Sequence, residues 1–335
     1  MKLGVYVDGF APMPEMLATV RAAEQAGAAS LWFAQHMGYR DAFISAAATA
    51  PLTHSMTLGL TAISPYLCPP LPTAMSLASL AELAPGRIAF SAAVGNILNL
   101  AQSGITPDKP IRVIREYVDA VRTLLKGEKP RTDGAIFSLD GAYMTFQHNV
   151  SIPIYIASTG PQMLRLAGEI GDGVVLSAGL TLAMTRQCLA YAEEGARRAQ
   201  RDFAKVRRCG FIIMIAADDE KAARAALIRK AGYLFRSKGH AANIASSGLP
   251  IDHAAVMESF ARHDFDGAIA MLPEETADAF GIAGTPRQCR EKLEAYLATG
   301  IDEPLVSVTG TPREQQLTFE ILSQVSADVG AVRPS

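Results

Sequence analysis

Short apolar runs alternate with amphipathic stretches along most of this chain. The runs LGVYV (3–7), SLWFA (30–34), MTLGLTAI (56–63) and RIAFSAAV (87–94) read as strands, and so do PIYIA (153–157), GVVLS (173–177), CGFIIMIA (209–216) and PLVSV (304–308). Their continuous apolar character is that of parallel strands covered on both faces. Helical spacing fills the gaps: EMLATVRAAEQAG, closed by Gly27 as a helix C-terminus, then AFISAAATAPL, TAMSLASLAELAPG and IRVIREYVDAVRTLLKGE. GAIFSLDGAYMTF (134–146) alternates instead, as a hairpin whose turn signal is Asp140-Gly141. Eight strands in alternation with helices predict an α/β fold, a closed (β/α)8 TIM barrel, with a doubly wound open sheet as the rival.

A barrel of this kind is one domain, so residues 1–335 read as a single unit. The segment at about 218–284 exceeds one crossover. Its KAARAALIRKAGYLF helix and NIASSGLPID loop read as a helical insertion serving as a lid, a substrate wall or a partner surface.

Composition narrows the function classes. Of 335 residues 49% are hydrophobic, and a net charge of −2 offers no basic field for nucleic acid or an anionic membrane. RRAQRDFAKVRR (197–208), the densest basic run, reads as a solvated helix end. Four widely separated cysteines, without zinc-ligand spacing, suit a reducing cytoplasm. The N-terminus lacks the apolar stretch of a signal peptide, and no run is long enough to span a bilayer.

Chemistry in such barrels gathers where strands end. That rule selects Asp8, then Gln35 and His36, then Thr61 to Tyr66, then Gly95, Asn96 and Asn99, and finally the STGPQ stretch from Ser158. At the last, a helix N-terminus offers unpaired N–H groups, and Thr159, Gly160, Gln162 and Met163 present themselves as a phosphate cradle or an ordinary capped turn. His36 can titrate near neutrality and exchange protons, or be a hydrogen-bonded surface group. On spacing alone Asn96 is a helix cap. His54, His148, His240, His253 and His263 lack partners in the pattern and read as structural or exposed. No His/Asp/Glu cluster at the strand ends points to a metal-dependent hydrolase.

Together, WFAQHMGYRDAF, LGLTAISPYLCPPLPTAMSLASLAELAPGR, AAVGNILNL, IREYVDAVRTLLKGE, PIYIASTGPQMLRLAGEIGDGVV and GTPRQCREKLEAYLATGIDEP resemble the luciferase-like flavin oxidoreductase superfamily. The texture is most similar to the methylenetetrahydromethanopterin reductase-like branch. The resemblance implies FMN or the deazaflavin coenzyme F-420 at the C-terminal mouth of the barrel, its phosphate at Ser158–Met163. It also implies a cis peptide bond between Thr61 and Ala62, Ser64 beside the ring, and ring or tail contacts from Asn96 and Asn99; the strand-end residues Asp8 and Gln35 are read as cofactor-binding with them. His36 matches the family's acid/base or ring-contact histidine. The reaction implied is monooxygenation or hydride transfer on a small organic substrate, within a pocket walled by Phe10, Trp32, Tyr66 and Leu67. NAD(P)H is a possible reductant or a separate reductase the supplier; relatives are usually dimers or larger, and a homodimer is expected here. A flavin-independent NAD(P)H reductase and a non-catalytic flavin-binding protein stay open. The chain departs from the pattern at Gln35, neutral where many relatives are acidic, at Tyr6, where pterin-type reductases carry a carboxylate, and at Ala92 and Ala93 in a Gly-rich signature.

Overall fold

The computed structural model describes residues 2–146 and 149–331; His148 lies outside them. Its strands are β1 (Gly4–Val7), β2 (Ser30–Ala34), β3 (Thr57–Ile63), β4 (Ile88–Ala92), β5 (Arg131–Asp133) and β6 (Ser138–Asp140), then β7 (Ile154–Ala157), β8 (Gly173–Leu176), β9 (Arg207–Ile212), β10 (Met214–Ala216), β11 (Ile282–Gly284) and β12 (Glu303–Ser307). The helices are α1 (Met13–Gln25), α2 (Ala42–Thr49), α3 (Pro70–Leu83), α4 (Ile97–Gln102), α5 (Pro110–Leu125), α6 (Pro161–Ile170) and α7 (Leu182–Arg198). After them come α8 (Glu220–Phe235), α9 (Ala241–Ser247), α10 (His253–Ala261), α11 (Phe265–Ala270), α12 (Thr276–Ala279), α13 (Pro286–Leu297) and α14 (Pro312–Ala331).

Eight strands close a barrel in the order β1-β12-β9-β8-β7-β4-β3-β2, so the TIM-barrel expectation holds and the open sheet does not. Contacts divide the chain into two compact units. One holds Gly4–Val175 with Ala190–Arg208; the other holds the residues before Gly4, Leu176–Leu189 and the chain from Cys209 on.

The first unit carries β1, β2, β3, β4 and β7 as consecutive parallel neighbours. β2 and β4 are buried along their whole length, which explains their unbroken apolar sequence. Trp32 is fully buried, edge-on to Tyr155 at 5.2 Å, and a Cβ on its register partner Gly59 would stand 2.3 Å from the indole ring. The indole is therefore core packing and not a pocket wall. α5 starts on a proline and buries Val113, Ile114, Tyr117, Val121 and Leu124 along one stripe. α6 and α7 touch backbone to backbone: a Cβ at Gly168 would lie 1.7 Å from the Ala192 carbonyl oxygen, and one at Gly195 would lie 1.9 Å from that of Arg165. Arg201 clamps the same corner, donating to the carbonyls of Gly168 and Gly171 at 2.7 Å each. Part of the basic run at 197–208 is thus an anchor and not a solvated face.

The hairpin reverses one turn earlier than Asp140-Gly141 suggests. β5 and β6 pair antiparallel, and the chain turns over 134–137, where the Gly134 N–H donates to the Phe137 carbonyl and Glu116 accepts from the Ala135 N–H. A tertiary carboxylate selects this turn over the local Asp-Gly signal.

In the second unit the run CGFIIMIA divides. β9 stays in the barrel beside β12, whereas β10 leaves it and pairs with β11. Ile213 marks the break, its carbonyl accepting from the Ile282 N–H at 2.8 Å. Residues 218–284 hold α8 to α12 around an apolar core that includes Leu227, Phe235, Val256 and Phe280. The NIASSGLPID stretch is helical as far as Ser247, because Asn243 is buried and ties α9 to the Gly179 carbonyl and the Thr181 N–H.

His253 Nε2 bonds to the Phe235 carbonyl at 2.7 Å, and burial, with His253 and Arg236 nearby, pushes His240 down to about 4. An unfolded histidine titrates near 6.5. Between those values the unfolded chain binds the extra proton, so stability is expected to fall as pH drops from about 6.5 to about 4. Urea midpoints of wild type and His240→Gln across that range check this: the difference between them should narrow toward acid pH, and a constant difference would contradict the linkage.

Candidate active site

The five neighbouring strands of the first unit end on one side of the barrel and bring most of the expected residues to one place. Gln35, His36, Ala62, Ser64, Asn96 and Asn99 line a common pocket, with Met37, Leu67, Cys68, Gly95 and Leu100 completing it. The Thr61–Ala62 peptide bond is cis, as the resemblance implied, and the β3–β4 register shifts between Leu60 and Ile63. Thr61 itself is buried beneath the pocket, its Oγ1 accepting from Ser91 Oγ at 2.8 Å.

Each polar group is set by its neighbours. His36 follows β2, and its Nε2 lies 3.1 Å from Tyr6 Oη on β1. Burial lowers the His36 pKa below its ordinary value, with Asp8 pulling weakly the other way. Asp8 accepts from the Phe10 N–H at 3.0 Å. Gln35 uses both ends of its amide internally: Nε2 donates to Asp41 and Oε1 accepts from the Ala42 N–H, while Asp41 caps α2 through the Ile44 N–H. A neutral residue here therefore serves as a brace between β2 and α2. Ser64 Oγ donates to the Val94 carbonyl at 2.6 Å, which holds the β3 and β4 ends together. Asn96 caps α4, its Oδ1 accepting from Leu98 N–H and Asn99 N–H at 2.9 and 3.4 Å, as its spacing suggests. Cys68 is half-buried and its thiol is pushed up, by burial first and then by Asp41, so it stays protonated.

After β7, the Gly160 N–H is already taken by Ser158 Oγ at 3.0 Å. No side chain caps α6, whose first intrahelical bond runs from Leu164 N–H to the Gly160 carbonyl. The N–H groups of Gln162 and Met163 therefore have no acceptor within the helix, and Pro161 has none to satisfy. A Cβ on Gly160 would meet only Ser158 Oγ, at 3.7 Å, so the approach to this turn is open.

Two expected walls lie elsewhere: Trp32 is in the core, and Tyr66 Oη donates to the Asp108 carbonyl. Phe10 and Tyr39, residues 56% and 52% exposed, pack with ring centroids 4.5 Å apart, close to His36. Arg40 fastens the β1 loop by donating to the Gly9 and Phe10 carbonyls at 3.2 and 2.8 Å. Sequence reasoning missed Met37, Cys68 and Leu100, which are ordinary apolar positions until tertiary structure gathers them. It also passed over Tyr6 as a partner, though a phenol within an apolar strand was the available signal. Among the described residues there is no group of His, Cys, Asp and Glu that could hold a metal ion, and no helix long and apolar enough to cross a membrane.

Comparison with known proteins places these features. The family description "Luciferase-like monooxygenase" matches residues 2–303. Over 315 residues the chain is 30% identical to a 5,10-methylenetetrahydromethanopterin reductase of Methanolobus tindarius, covering 93% of this chain and 94% of that protein. It is 28% identical over 325 residues to an F420-dependent glucose-6-phosphate dehydrogenase of Beutenbergia cavernae, with coverages of 93% and 91%. Among solved structures, the coenzyme F420 dependent tetrahydromethanopterin reductase of Methanopyrus kandleri matches with a TM-score of 0.85 at 22% identity, covering 96% of this chain and 97% of that one. The oxygenating constituent of 3,6-diketocamphane monooxygenase from Pseudomonas putida, in complex with FMN, matches with a TM-score of 0.71 at 18% identity, covering 100% and 99%. At such identities the structural matches establish the shared fold.

Proposed function

The chain belongs to the luciferase-like monooxygenase family of oxidoreductases, and from that premise we propose that it binds the deazaflavin coenzyme F-420 and acts on a small, uncharged organic substrate by hydride transfer. The carrying observation is the uncapped start of α6 behind Ser158-Thr159-Gly160, at the same barrel end as the pocket.

The residues fit such a cofactor. Ser158, Thr159, Gly160, Gln162 and Met163 would hold its phosphate, where first-turn amides and the positive end of the helix favour an anion. Ala62, Ser64, Asn96 and Asn99 would face its ring system, with Gln35, Thr61 and Asp8 bracing the loops that present them. When bound, the group supplies a two-electron hydride carrier. The F420 dependence in the names of the dehydrogenase from Beutenbergia cavernae and the reductase from Methanopyrus kandleri supports the deazaflavin over FMN.

The protein's own part is proton management and exclusion of water. Hydride loss or gain at a carbon that bears oxygen must be matched by a proton at that oxygen. His36 lines the pocket and is held neutral by burial, so it can take that proton in oxidation and, once protonated, return it in reduction. The pocket lining contains no Lys or Arg, and the exposed Phe10 and Tyr39 rings lie 6.4 and 6.1 Å from the ring of the lining residue His36. That setting suits an uncharged, partly apolar substrate.

Fluorescence titration with F-420 and with FMN, on wild type and Gly160→Asp, tests the reading. Wild type should bind F-420, and the added carboxylate at the helix start should weaken binding by about tenfold or more. Binding of neither nucleotide would overturn it. Binding of FMN alone, with oxygen consumption during turnover, would replace it with monooxygenation.

A further inference from the structure

Tyr6 is set into β1, and its Oη reaches Nε2 of His36 at 3.1 Å. An imidazole has two distinct nitrogens, and the bond made by one fixes which tautomer the other presents. With Nε2 engaged by Tyr6, Nδ1 is the nitrogen left for the pocket that His36 lines. Burial and the nearby Asp8 hold the phenol proton well above its ordinary range, so Tyr6 stays neutral throughout the working pH range.

The neutrality matters. A carboxylate in place of the phenol would favour the imidazolium and keep His36 charged near pH 7. A phenol accepts the same hydrogen bond without adding charge. The other groups around the imidazole do not substitute for it. Asp8 accepts from the Phe10 N–H, and the Arg40 guanidinium is directed at the Gly9 and Phe10 carbonyls. Asp41 is held between Gln35 and the start of α2, the Cys68 thiol stays protonated, and the Tyr39 ring stands edge-on at 6.1 Å.

We propose that Tyr6 is the positioning residue of this site: its oxygen accepts from Nε2–H of His36, which pins the Nε2–H tautomer and makes Nδ1 the nitrogen that exchanges a proton with bound substrate. The bond is kept in both protonation states. Neutral His36 presents a lone pair at Nδ1; protonated His36 presents an N–H there, and Nε2–H points at Tyr6 in each. The inference rests on reading His36 as the proton-transfer group.

Side-chain ¹⁵N NMR of the cofactor-free protein tests it, with His36 assigned by its disappearance in His36→Gln. Above its titration, wild-type His36 should show a protonated Nε2 and a bare Nδ1. In Tyr6→Phe the two tautomers should mix, and the titration midpoint should move lower, because the imidazolium loses an acceptor. In turnover the same variant should lose about tenfold in kcat, with KM little changed. Identical tautomer populations and midpoints in the two proteins would overturn the proposal. So would a proton on Nδ1 in neutral wild-type His36, a result that stands even if Tyr6→Phe melts below the assay temperature. These spectra need no cofactor, so a failure to bind F-420 would sink the functional reading and leave the tautomer result to be judged separately.

Discussion

Replacing His36 with glutamine is expected to lower kcat by about 10²- to 10⁴-fold, the usual worth of a positioned acid or base, with cofactor affinity nearly unchanged. Glutamine fills similar space and still hydrogen-bonds, but it cannot exchange a proton. His36 is the pocket-lining side chain suited to exchange a proton: burial lowers its pKa, Asn96 and Gln35 are amides, and the Cys68 thiol is pushed upward. The pH profile gives a second readout. Because burial lowers the His36 pKa, its unprotonated form persists to more acidic pH than an ordinary histidine allows. For substrate oxidation, the acid limb of kcat/KM should therefore fall below about 6.5, and His36→Gln should abolish that limb. A variant that kept wild-type kcat and the same acid limb would remove His36 from the chemistry.

A single methyl group placed where two helices meet should have the largest effect on stability. Gly168→Ala puts a Cβ 1.7 Å from the Ala192 carbonyl oxygen, and backbone cannot swing aside as the end of a long side chain can. α6 must then move off α7, and the Arg201 bonds to the Gly168 and Gly171 carbonyls loosen with it. The expected loss is about 3 kcal/mol, at the upper end for overpacking, and is read as a lowered urea midpoint with an unchanged slope. Since α6 also carries the proposed phosphate site, F-420 affinity should drop alongside. A midpoint within error of wild type would show that the helices separate freely.

The same glycine shows how a residue in a family motif can serve packing. The stretch GEIGDG closes one of the motifs that carry the family resemblance, and its residues pack and tie the backbone. Gly168 admits the α7 backbone, and Asp172 accepts from the Ile154 N–H and from Arg122. The part of that block proposed to hold the cofactor phosphate is the preceding STGPQM, and even there the Gly160 N–H is taken by Ser158 Oγ, leaving open space at that position.

Local sequence determined much of this protein. Short apolar runs rich in β-branched and aromatic residues fit strands covered on both faces, and eight of them spaced by helical stretches called for the barrel that is seen. The strand-end rule then located His36, Ala62, Ser64, Asn96 and Asn99, because a barrel strand that ends must deliver its next residues to the mouth. Only the tertiary structure decided what those residues do once there. It turned Gln35 into a brace, Trp32 into core and Ser64 into a tie between strands, moved the hairpin turn to 134–137 beside Glu116, and sent Met214–Ala216 out of the barrel to pair with Ile282–Gly284. Above all it set Tyr6 against His36 across thirty positions of chain. Hydrophobic periodicity is a property of neighbours along the chain. A hydrogen bond between two strands depends on register and burial, which exist only after the chain has closed on itself.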